Sequence, residues 1–188
     1  MSRAYRISVR ESLRKVVRAE DHVSTHLELL ALLPPEQMAE LLAAELEQRG
    51  FKREGDRVVR QQDGTRVSVE LATATVTAKA TSTREVDIEG ERDGYATDDR
   101  GEPAKRIEKN LRGQLKKSLE QRAAGEKAAL QTEVTDKLEA QLSALRTELD
   151  QVVNRVTVEA IKRKAAQLGT IKQVTEDAQG SMTIVLEV

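Results

Sequence analysis

The chain has no cysteine and no tryptophan, and its 188 residues include one phenylalanine, two tyrosines and three prolines. Without cysteine there are no disulfides, no thiol chemistry and no thiolate metal sites. With aromatics at 2%, a core must be assembled from Leu, Val, Ile and Ala, which bury less area per residue than aromatic rings. The formal net charge of −1 gives no overall field favouring nucleic acid or membrane. No apolar run approaches the roughly 20 residues of a membrane span. Residues 1–20 carry six Arg or Lys and no apolar run, unlike a secretory signal. These absences point to a soluble, cytoplasmic protein with no membrane partner.

Charge and periodicity are what the chain does have. Charged residues make up 34%. From Pro103 to Leu168 there is no second proline, and Gly113 and Gly125 are the two glycines. Leu, Val and Ile recur there every three or four residues, the spacing of an amphipathic helix. This tract reads as a long helical arm. It can be one helix or two, and a break near Gly125 is the reading favoured here, since a helical hairpin brings Gly169 back toward Pro103.

Residues 1–92 read as an α+β head. Tyr5, Ile7 and Val9 alternate with polar residues, as in a half-buried strand. Val16–Val17 and Val23–Leu30 flank Glu20–Asp21, consistent with a hairpin. Pro34–Pro35 opens a helix over Glu36–Arg49, closed by Gly50. Arg57–Gln61 and Thr65–Leu71 are joined across Asp63–Gly64, a strong hairpin signal. Thr73–Thr81 reads as a further strand, which Glu85–Glu89 can extend. Gly90–Glu102 reads as loop, because residues 85–102 hold eight acids against two arginines and like charges resist packing.

The expected fold class is therefore α+β: a small antiparallel sheet with one covering helix, plus a coiled-coil-like arm inserted before a C-terminal β-hairpin. The boundaries are 1–92 for the head, 93–102 for an acidic linker, 103–168 for the arm and 169–188 for a hairpin returning to the head. That hairpin is formed by Ile171–Thr175 and Met182–Val188 around Asp177–Gly180. A lone hairpin is marginal in water, so it should add to the head's sheet or to a partner.

Within the arm, Ile107, Leu111, Leu115 and Leu119 are four apart, a stripe that spirals around a helix. Leu142, Leu145, Leu149, Val152 and Val156 alternate three and four, a heptad seam. That seam is the expected surface for self-association or a protein partner; the alternative is packing on the chain's own head. Lys105, Lys109, Arg112 and Lys116 form a basic stripe, a candidate anion-binding face. Residues 104–122 carry seven bases and two acids. The plainer reading is a solvated face, or one neutralised by the acidic stretch before it. Single-strand binding usually adds stacking aromatics, and the arm has none.

No catalytic motif is present: no Gly-x-Ser-x-Gly elbow and no phosphate-binding glycine loop. His22 and His26, the only histidines, share one face beside Glu20 and Asp21, but two imidazoles without a third ligand make a weak metal site. Asp93, Asp98 and Asp99 do not match an EF-hand loop. No enzyme activity and no cofactor are expected.

The segment Leu27–Leu42 continuing to Gly50–Phe51, the strands from Asp63–Gly64 to Ala80 and the closing Asp177–Val188 together resemble small accessory proteins of bacterial FtsH ternary systems. These are encoded beside AAA+ ATPases and von Willebrand A-domain proteins. The resemblance implies an accessory or adaptor role, with such an ATPase or A-domain protein as partner, and it carries no catalytic residue onto this chain. The chain has no ATPase motif and no metal-dependent adhesion motif, so it would be the partner and not the motor. The function expected is a non-enzymatic adaptor or scaffold acting through its arm; the alternative is a nucleic-acid-associated protein using the basic stripe.

Overall fold

The computed structural model describes residues 4–96, 101–176 and 182–187. In chain order the elements are β1 (Tyr5–His26), α1 (Pro35–Gln48), β2 (Lys52–Glu54), β3 (Arg57–Gln62), β4 (Thr65–Glu70), β5 (Thr75–Ala96), α2 (Glu102–Leu168), β6 (Thr170–Glu176) and β7 (Met182–Glu187). A five-stranded antiparallel sheet has the order β1-β5-β4-β3-β2, and β6 and β7 form a two-stranded sheet of their own. The fold is α+β, as the residue pattern indicates. Two compact units share β1, β5 and α2.

One unit comprises residues 21–80 and 136–188. Its sheet is built on the tight turn at Asp63–Gly64, where both residues have positive φ (51° and 76°). That backbone suits a two-residue hairpin and sets Gln62 opposite Thr65 and Val58 opposite Val69. β4 and β5 then pair Val67 with Ala78 and Val69 with Val76. These alternate residues are buried, while Arg66, Glu70 and their neighbours turn to solvent, the period-two pattern of a half-buried sheet. Helix α1 starts at Pro35 and buries Met38, Leu41, Leu42, Ala43 and Leu46. Gly50 at φ 85° ends it, and Phe51 is buried directly behind. From α2, this unit buries Leu138, Leu145, Leu149, Val152, Val156, Ala160 and Ala165.

The other unit comprises residues 1–20 and 81–135. Here β1 and β5 make a two-stranded ribbon, and α2 lies on one face of it. The ribbon buries Val9, Val17, Ala19, Val86 and Ile88, and the helix buries Leu115, Leu119, Ala123, Leu130 and Val134. Two glycines set the closest approach. A Cβ on Gly90 would stand 2.7 Å from Leu115 Cδ1 and 3.2 Å from Leu119 Cδ2. One on Gly94 would meet Leu111 Cδ1 at 2.9 Å and Ile107 Cγ2 at 3.1 Å. The four-residue spacing of Ile107, Leu111, Leu115 and Leu119 thus has a use: a spiralling stripe suits a two-stranded ribbon, which twists more strongly than a wide sheet.

Four expectations are corrected. The proposed hairpin over Glu20–Asp21 is instead one strand of 22 residues, because neither residue pair nor flank supplies a turn residue with positive φ. Residues 90–96, read as loop, belong to β5; their acids are neutralised across the ribbon. Residues 97–100 lie outside the described residues. The break near Gly125 is absent, and α2 is one helix of 67 residues. A glycine in a helix costs only about 1 kcal/mol relative to alanine, and Ala123, Ala124, Ala128 and Ala129 are strong helix formers. Last, the described strands of the final hairpin pair with each other and do not extend the five-stranded sheet.

Candidate functional site

The heptad-like residues of α2 occupy the chain's own interior. Val152 and Val156 are 0% and 1% exposed, Leu149 is 5% and Leu145 is 9%; Leu142 is half-buried. Leu142, Leu145 and Leu149 line a cleft together with Val76 and Ala78 of the sheet. This is the second of the two packing roles open to the seam, and it leaves little of these side chains for a partner. The spacing alone could not decide between them, since a sheet face and a second helix both accept a three-four stripe.

Polar contacts fix the same half of α2. Arg60 of β3 donates to both carboxylate oxygens of Glu148, at 2.6 and 2.7 Å. Its guanidinium lies 4.5 Å from the Phe51 ring centroid and donates to the Arg49 carbonyl at 3.1 Å. The hydrogen bond to Glu148 raises the Arg60 pKa further above its already high value. Beside this pair is a cavity of about 280 Å³ lined by Gln62, Thr65, Val67, Leu138 and Leu142 among others. Thr65 is 4% exposed, and among the described residues its hydroxyl has no hydrogen-bond partner.

The outer face of the β1–β5 ribbon carries a ladder of opposite charges. Arg6 pairs with Asp93 at 2.6 Å, Arg10 with Glu91 at 3.0 Å and Arg14 with Glu85. Ser8 donates to Glu91 at 2.6 Å. Partners descend β1 as they ascend β5, as an antiparallel pair requires. The Arg6 guanidinium holds the Asp93 carboxyl below its ordinary 3.8. The Ser8 hydroxyl, then Arg10, holds Glu91 below 4.5. The ladder was missed in the sequence. Its signal was there: arginines at 6, 10, 14 and 18 share one strand face, and so do acids at 85, 87, 89, 91 and 93.

The basic stripe lies on the exposed side of α2. Lys105, Lys109, Arg112 and Lys116 are all exposed and border a shallow hollow at Gly113. Arg112 is bound by Glu108 at 2.9 Å and by Glu11 at 3.5 Å, and Lys105 lies 3.7 Å from Glu102. Among the described residues Lys109 and Lys116 have no ion-pair partner.

His22 and His26 are exposed on β1, and among the described residues no group of three or more His, Cys, Asp or Glu could hold a metal ion. Asp93 belongs to the ladder, and Asp98 and Asp99 lie outside the described residues. Among the described residues no helix is long and apolar enough to cross a membrane.

The chain is thus an α+β fold with one long helix, part of whose apolar surface is buried within the chain. The whole of it, residues 1–188, matches the family of FtsH ternary system domain X5, and the chain belongs to that family. It is thus an accessory component of an FtsH ternary system. No curated protein and no solved structure matches the chain.

Proposed function

We propose that the chain is a non-catalytic adaptor of its FtsH ternary system, binding a protein partner through polar surfaces of the folded domain. The AAA+ ATPase of the same system is the partner proposed first, with a von Willebrand A-domain component second. The observation that carries this reading is helix α2. One face of it, running from Leu115 to Ala165 through Leu130, Leu138, Val152 and Val156, is buried inside the chain, so the 67-residue element offers a partner mainly its charged side.

The reading replaces self-association through Leu142–Val156 with polar docking. The test is co-sedimentation of the purified chain with the ATPase, together with the ATPase rate. A complex heavier than either component, with an altered rate, supports the adaptor role. Two separate boundaries with an unchanged rate, for the A-domain protein as well, contradict it.

A further inference from the structure

The exposed face of α2 around Gly113 keeps features that do not favour a helix, although Arg112 is held by Glu108 and Glu11 and Lys105 by Glu102. Lys105 lies in the first turn of the helix, where the helix dipole disfavours positive charge. Lys105 and Lys109, and again Arg112 and Lys116, are like charges four residues apart, an unfavourable spacing on a helix. Gly113 sits in a helix interior, where glycine is a poor residue. A Cβ there would meet nothing within 4 Å. Gly90 and Gly94 differ in this respect, because the packing of Leu115, Leu119, Leu111 and Ile107 fills the space a Cβ would take.

Among the described residues the acidic stretch that precedes the helix meets the stripe only at Lys105, 3.7 Å from Glu102. Glu85, Glu91 and Asp93 are bound to Arg14, Arg10 and Arg6 of β1. That leaves Lys109 and Lys116 without an ion-pair partner among the described residues, on either side of the hollow of about 440 Å³ at Gly113. From Lys105 to Lys116 the face covers about 16 Å of helix at 1.5 Å per residue.

We propose that this face docks an acidic protein segment, whose carboxylates meet Lys105, Lys109 and Lys116 while its backbone approaches closely at Gly113. The inference rests on the adaptor reading above and names the docking surface within it. Charge complementarity selects the acidic ligand. The lack of any aromatic residue along α2 removes the stacking platform of single-strand binding.

The test uses the full chain, a fluorescein-labelled oligo-glutamate peptide and a short random-sequence DNA duplex, with anisotropy read at low and high salt. Lys109→Glu with Lys116→Glu is expected to weaken peptide binding about tenfold or more while leaving Tm unchanged or raised. Gly113→Ala is expected to raise Tm by about 1–4 °C and still weaken the peptide. Tighter binding of the duplex than of the peptide would overturn the proposal in favour of nucleic acid. Peptide binding that is absent, or unchanged in the Lys variant, would leave an ordinary solvated face. A fall in Tm for Gly113→Ala would show that the glycine serves the chain's own fold. Failure here with the ATPase still bound by the parent chain removes this surface alone; a parent chain that binds neither the ATPase nor the A-domain protein removes the adaptor reading.

Discussion

Arg60 and Glu148 form a two-pronged ion pair, 2.6 and 2.7 Å, that ties strand β3 to the second half of α2. Both side chains are only about a fifth to a quarter exposed. Removing one partner leaves a half-buried charge without its mate, so Glu148→Ala should cost about 1–3 kcal/mol. Urea unfolding checks this: the midpoint should fall with the slope unchanged. An unaltered midpoint would show the pair to be a surface contact of no energetic consequence.

The buried half of α2 gives an opposite expectation to that of a partner seam. Leu149→Ala should cost about 2–5 kcal/mol through a cavity in the chain's own core. The paired substitution Leu145→Glu and Leu149→Glu should unfold the protein, since it places carboxylates in an apolar interior. Circular dichroism and light scattering separate the outcomes. A folded double variant with a lower mass than the parent would show that these residues hold two copies together.

Gly90 and Gly113 should respond to larger residues in opposite ways. Gly90→Val drives a side chain into Leu115 and Leu119 and should cost about 1–3 kcal/mol by overpacking. Gly113→Ala should stabilise by about 0.5–1 kcal/mol. Thermal unfolding of the two variants beside the parent tests both signs, and two changes of the same sign would refute the distinction.

The ribbon ladder makes stability sensitive to acid. Asp93 and Glu91 are held below their ordinary values of 3.8 and 4.5 by Arg6, and by Ser8 with Arg10. Glu40 is held down by Arg53 in the same way. A depressed carboxylate adds stability above its unfolded value and loses it as pH falls through its folded value. The loss should therefore begin below about pH 4.5 and continue downward. Amide exchange in residues 5–20 and 81–96 should quicken over that range, and high salt should weaken the ladder at neutral pH. In Arg6→Gln with Arg10→Gln the acid dependence of that segment should flatten; an unchanged profile would place it elsewhere.

Much of the head could be read from local chemistry. Asp63–Gly64 requires the positive φ that a tight hairpin needs, and Pro35 and Gly50 bound α1 at its two ends. These are nearest-neighbour signals. The long strands were harder, because their stability comes from pairs 71 to 87 residues apart. Glu85 to Asp93 looks self-repelling until Arg6, Arg10 and Arg14 stand opposite. Gly125 looked like a break, and it is held in helix by alanines on both sides and by tertiary packing at Ala123 and Leu130. The role of Leu142–Val156 needed a surface to pack against, and no spacing within the helix reveals whether that surface belongs to the same chain.

The measurement closest to the central claim is the salt dependence of the complex between this chain and the AAA+ ATPase of its system. A partner held by the charged side of α2 should dissociate as salt rises, since the Debye length falls from about 10 Å at 0.1 M to about 3 Å at 1 M. An affinity that holds or increases with salt would contradict the account, and would mean that the partner reaches the apolar face of α2 that the chain otherwise keeps within itself.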